Sequence, residues 1–311
     1  MWYSAIPSGS GEPTAVWYSP DSAENGRAFG VQPHLQSGDD MLVNGQAQDT
    51  LELSDRALHY GDGAFETLRV EDGRPAHWRR HLSRLSKTCD FLKIPLDIKS
   101  LEHEVKVLLM DAKDTCILKI IVSRGSGGRG YRPPEMSQAR RILSLHPLPS
   151  DYAGLQHVGV RLMRCQHPAS ENPALAGIKH LNRLDQVLAS MELSADCQEG
   201  LMLTAGGKLV EGTRSNVFLV REGRLLTPLL VSAGVAGIKR EIILECSAAN
   251  GIDVDIRHID IDELQKADEI FVCNSVMGIW PVIEWRDGNE RRTLHPGPLT
   301  RLVQGLTKDS H

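Results

Sequence analysis

The sequence predicts an α/β fold built from two lobes. A chain of 311 residues that is 41% hydrophobic can bury a substantial core, and it is longer than one small module needs. Short apolar alternations typical of strands are interspersed with longer amphipathic stretches typical of helices. The connector-like run "HPLPSDYAG" divides them. We therefore expect a small α/β domain over 41–147, a connector over 148–153 and a large domain over 154–311.

Residues 1–40 precede the first lobe and differ from it in composition. They are rich in Gly, Ser, Pro and Asp and show no sustained period, which predicts a flexible N-terminal extension. The first lobe then alternates strands such as "MLVNG", "FETLRV", "CILKIIVS" and "RRILSLHP" with two helices. One helix presents Leu82, Leu85, Cys89 and Leu92 on a single face, and the second lies near 100–112.

The second lobe contains the stretch "LAGIKHLNRLDQVLASMEL", residues 175–193. Leu181, Leu184, Leu188 and Met191 recur at helical spacing, which predicts an amphipathic helix with this stripe facing a core. Its first turn would hold Lys179, His180 and Arg183, although a helix start favours negative charge. Such a setting disfavours an ammonium group, so it favours a lysine that can lose its proton and act as nucleophile or base.

Further along, Gly206-Gly207 between apolar runs predicts a tight hairpin. A helix is predicted from about 237 to 249, closed by Asn250-Gly251. Gly234 and Gly237 come directly before this helix, and Lys239 and Arg240 stand in its first turn. Free backbone N–H groups at such a start form an anion site.

Composition excludes several function classes. A formal net charge of -5 argues against general affinity for nucleic acid or anionic membranes, and leaves small anions as the better ligands. Six cysteines without a CxxC pair suggest neither a zinc site nor a disulfide framework, and fit reduced thiols in a cytoplasm. No apolar run approaches transmembrane length, and the first residues lack the pattern of a signal peptide.

Two motifs are misleading. "GSGGRG", residues 125–130, has the GxGxxG spacing, but "YRPPEM" follows and two prolines oppose the helix that a dinucleotide site requires. The loop, which also carries Arg124 and Arg132, is either an anion-binding or a solvated loop. His77 and His81 lie one helical turn apart among arginines and without a nearby carboxylate, so no metal site is expected.

The remaining candidates share one chemistry. Three arginines near a helix start could hold a phosphate or face water, and Glu211 is a solitary acid after a predicted strand. The arginines are Arg79, Arg80 and Arg84. A phosphate-binding helix start, an arginine helix, a lone acid and a lysine in an electropositive setting are the groups that pyridoxal 5'-phosphate (PLP) needs.

The run Glu211 to Arg240, "EGTRSNVFLVREGRLLTPLLVSAGVAGIKR", resembles the long signature of the fold-type IV PLP enzymes. This family comprises branched-chain aminotransferases, D-amino-acid aminotransferases and aminodeoxychorismate lyases. Four other segments resemble the family in the expected order: "LHYGDGAFETLRV", "HWRRHLSRL", "ADEIFVCNSVMGIWPV" and "HPGPLTRLV". The resemblance covers nearly everything after residue 41 and implies the two-domain architecture of these enzymes.

The resemblance also implies residue roles. Lys179 would carry the cofactor and shuttle protons, and Glu211 would face the pyridine nitrogen. Six further positions would hold the phosphate: Arg79, the Gly237, Ile238 and Lys239 helix start, and the Asn274-Ser275 turn. Many relatives have Thr at position 239. The arginines of the 124–132 loop, Arg124 and Arg129, would bind substrate carboxylates, with Tyr131 and Thr67 as lesser candidates.

Within the family, "SRGSGGRGY", "LAGIKHLNRLDQVLA" and "GVAGIKR" are most similar to the aminodeoxychorismate lyases. This similarity implies conversion of 4-amino-4-deoxychorismate to 4-aminobenzoate and pyruvate by a cytoplasmic homodimer. An aminotransferase would use the same lysine and acid and remains an alternative. A noncatalytic binding protein on the same fold is a second alternative.

Overall fold

The computed structural model describes residues 41–308, so the predicted extension over 1–40 lies outside the described residues. The strands are β1 (Met41–Val43), β2 (Gln46–Ala47), β3 (Gly63–Glu71), β4 (Arg74–Pro75), β5 (Cys116–Ser123), β6 (Arg140–Pro147), β7 (Val160–Arg164), β8 (Glu199–Leu203), β9 (Leu209–Gly212), β10 (Asn216–Arg221), β11 (Arg224–Pro228), β12 (Val254–Arg257), β13 (Glu269–Asn274), β14 (Gly278–Asp287) and β15 (Glu290–Thr293). The helices are α1 (Arg56–Tyr60), α2 (Trp78–Leu92), α3 (Ile98–Leu108), α4 (Tyr152–Val158), α5 (Leu184–Met191), α6 (Ile238–Ala249), α7 (Ile261–Leu264) and α8 (Pro298–Leu306). This mixed α/β architecture confirms the predicted fold class.

The first sheet is antiparallel and has the order β2-β1-β6-β5-β3-β4. The inward side chains of β3, β5 and β6 pack with apolar residues of α2 and α3. Leu85 of α2 and Leu101 of α3 are fully buried in this core, as the helical periodicity of both segments predicts. All six strands lie within 41–147, the range predicted for the small domain, and the domain boundary itself stays a prediction.

The second sheet is mixed and has the order β12-β11-β10-β13-β14-β7-β8-β9, with β15 added beside β14. Its strands are nearly continuous apolar runs because both faces are covered. Trp280 and Trp285 fill one core, whereas Phe218 and Phe271 stack in another beneath α6 and α8. The predicted hairpin at Gly206-Gly207 joins β8 to β9, and Gly207 has a φ of 77°.

A short extended segment links the two sheets. The amide N–H of Phe65 donates to the carbonyl of Lys179 at 3.1 Å, and that of Leu181 donates to Gly63 at 3.0 Å. The other side of the segment pairs with the loop before α6, where the N–H of Gly177 donates to Gly234 at 2.9 Å. Lys179 therefore stands between β3 of one sheet and the glycine-rich loop of the other lobe.

The expectation of a helix starting near residue 179 is wrong. α5 begins only at Leu184, and residues 175–183 are not helical. The backbone groups of Lys179 and Leu181 are hydrogen-bonded to β3, so they cannot form the first turn of a helix. The predicted apolar stripe does not face a core either, since Leu184 is 68% exposed and Met191 is 76% exposed.

Three further observations concern membranes, thiols and metals. Across residues 41–308, no helix is both long and apolar enough to span a bilayer. Within the described residues, the cysteines form no disulfide. Within the same residues, no cluster of three or more His, Cys, Asp or Glu side chains is arranged to hold a metal ion.

Candidate active site

A cavity of about 380 Å³ opens where the two sheets meet, and its size suits a small ligand. Its lining includes residues of the linking segment, β3, the end of β9, the loop before α6 and the turn after β13. Its basic lining side chains are Lys179, Arg84, Arg183 and Arg214, and among the lining residues Glu211 is the acidic one. The cavity is therefore electropositive and favours anionic ligands.

Lys179 carries a perturbed amine. Its Nζ lies 4.2 Å from the centroid of the Phe65 ring. Burial, reinforced by the charge of Arg84, lowers the pKa of Lys179 from 10.5 to about 8. Lys179 thus loses its proton more easily, as the sequence predicts. The cause is burial and not a helix start, because Lys179 does not lie at the start of a helix. A lysine with such a pKa releases its proton readily near neutral pH.

Glu211 is a buried acid on β9, with an exposed fraction of 5%. Its Oε2 accepts the N–H of Val235 at 2.8 Å, and its Oε1 accepts from Gln186 Nε2 at 3.3 Å. Burial raises the pKa of Glu211, although the Val235 hydrogen bond and the charge of Arg183 oppose the shift. Such a carboxyl can share a proton with a heterocyclic nitrogen.

The start of α6 forms an anion cradle in the cavity. Its N-cap, Gly237, makes no side-chain capping bond, so the first amides of the helix remain available to an anion. A Cβ at Gly237 would lie 1.9 Å from the Oδ1 of Asn216, which explains the need for glycine. Asn216 in turn donates from Nδ2 to the carbonyl of Val235 at 2.9 Å and holds the loop before the helix.

Arg84 adds a guanidinium to this cradle. Its Nη1 donates to the carbonyl of Ala236 at 2.8 Å, and its Nε and Nη2 donate to the two carboxylate oxygens of Glu66 at 2.7 and 2.6 Å. His81 Nδ1 lies 2.7 Å from Glu66 Oε2. Burial alone would raise the pKa of Glu66, but Arg84 and His81 hold it at about 2.

Arg79, the arginine predicted to hold phosphate, does not line this cavity. It borders a separate concavity with Glu71, Arg74 and Arg80 at the start of α2. Five residues along an α-helix correspond to a rotation of about 140°, so Arg79 and Arg84 point to different sides of α2. The sequence contained a signal for Arg84, because this residue is next to Leu85 on the predicted apolar face of the helix. In the structure Leu85 and His81, three positions before Arg84, are both buried.

The other predicted phosphate residues divide into two groups. Gly237, Ile238, Asn274 and Ser275 line the cavity. Asn274 Oδ1 accepts the N–H groups of Val276 and Met277 at 2.9 and 2.8 Å and so shapes the turn after β13. The side chain of Lys239 points elsewhere, because its Nζ donates to the carbonyl of Thr307 at 2.8 Å after α8.

The predicted substrate residues are also spread over different sites. Thr67 of β3 lines the cavity. Arg124 is buried outside it, where its guanidinium donates to Asp62 and to the carbonyls of Leu92 and Lys93. These contacts do not favour a substrate role for Arg124.

Arg129 and Tyr131 lie on an exposed loop, on which Tyr131 is 88% exposed. Arg56 holds this loop by donating to the carbonyls of Gly130 and Tyr131, each at 3.0 Å. No helix follows the GxGxxG spacing directly, as the two prolines predict.

Sequence reasoning missed Arg183 and Arg214 as cavity residues. Arg183 directly precedes α5, and Arg214 lies in the turn after Glu211. Their closeness along the chain to Lys179 and Glu211 was the available signal.

The cavity residues fit PLP. An amine of lowered pKa, a buried carboxyl and an uncapped helix start reinforced by arginine are the three groups that bind and tune this cofactor. They stand around one electropositive cavity, in contact with residues of both sheets.

Comparisons with known proteins agree with this chemistry. The chain is 34% identical to an aminodeoxychorismate lyase from Vibrio harveyi over 266 residues, which cover 85% of this chain and 97% of that protein. It is 28% identical to a putative branched-chain-amino-acid aminotransferase from Methanocaldococcus jannaschii, covering 86% and 95%. The crystal structure of 4-amino-4-deoxychorismate lyase from Pseudomonas aeruginosa superposes with a TM-score of 0.81 at 44% identity, covering 86% of this chain and 98% of that one.

The branched-chain aminotransferase of Escherichia coli shares the fold, with a TM-score of 0.75 at 24% identity over 86% of this chain and 92% of that one. The sequence model named "Amino-transferase class IV" matches residues 63–285, which span most of both sheets and every basic and acidic residue of the cavity lining. The chain belongs to the class IV aminotransferase family.

Proposed function

We propose that this chain is a PLP-dependent lyase that converts 4-amino-4-deoxychorismate to 4-aminobenzoate and pyruvate. The observation that carries the proposal is that Lys179 and Glu211 line one electropositive cavity. The chain also shares 44% identity over 86% of its length with a structure of 4-amino-4-deoxychorismate lyase. The substrate has two carboxylates, which suits the basic lining.

The residues divide the binding task. Lys179 carries the cofactor, and Glu211 faces the nitrogen of its ring. Arg84, rather than Arg79, holds the phosphate together with the start of α6 at Gly237 and Ile238. The Asn274-Ser275 turn closes the same end of the cavity. Lys239 contributes its backbone only, because its side chain binds the carbonyl of Thr307.

When bound, PLP withdraws electrons from the substrate carbon that bears the amine. The Nζ of Lys179, with a pKa lowered to about 8, takes the proton from C4 of the substrate. The bond between C3 and the enolpyruvyl oxygen then breaks, and the ring becomes aromatic. The released enolpyruvate takes up a proton at its methylene carbon and becomes pyruvate. Burial raises the pKa of Glu211, which suits a carboxyl that shares a proton with the ring nitrogen.

We also propose a cytoplasmic homodimer. The exposed apolar side chains of α5 form a face that a second copy can cover: Leu184, Val187, Leu188 and Met191. Arg183 and Gln186, beside and within α5, line the cavity, so a partner on this face would lie close to the site. Arg129 and Tyr131 lie on an exposed loop outside the cavity lining and stay predicted substrate residues. Cysteines that form no disulfide within residues 41–308 suit a reducing compartment.

The test is an assay of purified protein with 4-amino-4-deoxychorismate, PLP and no keto acid. We expect 4-aminobenzoate and pyruvate in equal amounts, and size-exclusion chromatography with light scattering should give twice the chain mass. Absence of both products from a yellow protein would contradict the lyase. The next assay would then pair branched-chain or D-amino acids with 2-oxoglutarate, since relatives 28% and 33% identical are named as branched-chain aminotransferases.

A further inference from the structure

The turn between β9 and β10, Thr213–Ser215, is built around a buried carboxylate. Glu199 is fully buried, and its Oε1 accepts the N–H of Thr213 at 2.9 Å and also the hydroxyl of Thr213. Its Oε2 accepts the hydroxyl of Ser215 at 2.9 Å. A buried carboxylate with several donors is held firmly, so Glu199 fixes the shape of this turn.

Arg214 projects from the centre of this turn. Its Nη2 donates to the carbonyl of Gln198 at 2.8 Å, and its Nε lies 3.7 Å from Glu199 Oε2. The guanidinium carbon lies 5.9 Å from the centroid of the Trp280 ring, which is a cation-π distance. Asn274 Nδ2 donates to the carbonyl of Arg214 at 3.1 Å and ties this turn to the end of β13.

These contacts orient the guanidinium without using all of it. The Arg214 side chain is 50% exposed although it lines the cavity. Within residues 41–308, nothing accepts a hydrogen bond from its Nη1. A guanidinium held on one edge and open on the other is suited to bind a carboxylate.

The other cations of the cavity are less available. Arg84 is assigned to the phosphate, and its guanidinium also donates to both carboxylate oxygens of Glu66 and to the carbonyl of Ala236. Arg183 donates from Nε to the carbonyl of His180 at 2.9 Å and from Nη2 to that of Ile178 at 3.3 Å. Lys179 is assigned to the cofactor. Arg214 is therefore the cation best placed to meet a ligand.

We infer that Arg214 binds a carboxylate of the substrate, and that Glu199 is the positioning residue that holds the Arg214 turn in place. This inference rests on the proposed function, because it assigns one substrate carboxylate of that reaction to a named residue. The inference also supplies a cation for a substrate carboxylate. The guanidinium of Arg124, the arginine first predicted for this role, is bound to Asp62 and to two backbone carbonyls.

The experiment compares Arg214→Gln and Arg214→Lys with Arg224→Gln as the control, because Arg224 is an exposed arginine of β11 outside the cavity lining. For Arg214→Gln we expect KM for 4-amino-4-deoxychorismate to rise about tenfold or more, because a charge-assisted hydrogen bond is lost. We expect kcat and the Kd for PLP to stay within about twofold. Arg214→Lys should recover part of the loss, and Arg224→Gln should match the parent protein.

A binding measurement separates this inference from the proposed reaction. Isophthalate, with two carboxylates, and benzoate, with one, are titrated into the PLP-loaded proteins by calorimetry. Arg214→Gln should weaken isophthalate more than benzoate, whether or not the protein turns over 4-amino-4-deoxychorismate. An unchanged KM with unchanged isophthalate binding would overturn the inference, and so would a tenfold weaker Kd for PLP, which would assign Arg214 to the phosphate.

Glu199→Gln tests the positioning role. The amide retains the shape of the carboxylate but loses its charge and one acceptor oxygen, so the turn should loosen. We expect the same rise in KM as for Arg214→Gln, and little added loss in the double variant. Equal loss of PLP binding in Glu199→Gln would show a general structural role instead. Thermal unfolding of each variant checks that the fold is retained.

Discussion

The two ends of the cavity hold their charges in different ways. At the phosphate end, Glu66 receives three hydrogen bonds from Arg84 and His81, and its pKa stays at about 2. At the other end, the amine of Lys179 faces an aromatic ring, and the described residues offer its Nζ no hydrogen-bond acceptor. Burial lowers the pKa of Lys179 and raises that of Glu211.

The difference separates binding from chemistry. A fully paired network keeps its charges over a wide pH range and can hold an anion in one place. Burial instead shifts the pKa of Lys179 down and that of Glu211 up, toward the range in which proton transfer is favoured. Removing a residue from the first end should therefore affect stability and cofactor affinity, whereas removing one from the second should affect turnover.

The largest effect is expected for Lys179→Ala. Without the amine there is no group to carry the cofactor covalently or to take the substrate proton, so kcat should fall about 10⁴-fold or more. Borohydride should fix the cofactor to the peptide that contains Lys179 in the parent protein, and mass spectrometry should find no such peptide in the variant. Lys208→Ala is the matched control, because Lys208 pairs with Asp260 on the surface. An active Lys179→Ala protein would remove the basis of the proposed chemistry.

The next effect concerns stability and pH at the phosphate end. Glu66 has a folded pKa of about 2 against an ordinary value of 4.5, so it stabilises the fold above pH 4.5 and loses this contribution as the pH falls toward 2. The loss amounts to about 3 kcal/mol at 1.36 kcal/mol for each unit of pKa.

Urea unfolding between pH 5 and pH 2 measures this contribution. Glu66→Gln should be less stable than the parent protein at pH 7, and the difference should narrow as the pH falls. Glu71→Gln is the control, because Glu71 is a half-exposed carboxyl at the end of the same strand. Parallel stability curves for Glu66→Gln and the parent protein would contradict the linkage.

The same two ends differ in how well the sequence predicts them. The helix start at Gly237 follows from a local glycine signal, and α6 begins one residue later. The conformation of Lys179 depends on hydrogen bonds to β3, which lies more than a hundred residues earlier in the chain. Local periodicity therefore predicts a helix for residues whose backbone is held in a strand-like conformation by β3.

The sequence also does not predict which arginines line the cavity, for a related reason. β5 and β6 have the predicted bounds because their apolar runs are enclosed by polar and turn-forming residues. An arginine can line a cavity or take part in a buried hydrogen-bond network. Its neighbours in space, which the sequence does not give, determine which of the two it does. Arg124 binds Asp62 and two carbonyls, whereas Arg214 enters the cavity because a buried carboxylate shapes its turn.

The smallest effect separates the two arginines of α2. Arg84 lies at the helix start that should receive the phosphate, so Arg84→Gln should weaken PLP binding about 30-fold through loss of a charge-assisted contact. Arg79→Gln should leave the Kd within about twofold, because Arg79 borders a different concavity. Titration of apoprotein with PLP, followed by absorbance, measures both. Arg84→Lys keeps a cation beside Glu66, so it tests the guanidinium even if Arg84→Gln folds poorly. If Arg79→Gln lost much of its affinity for PLP and neither Arg84 variant lost any, the phosphate would bind at the first turn of α2 and not at the start of α6.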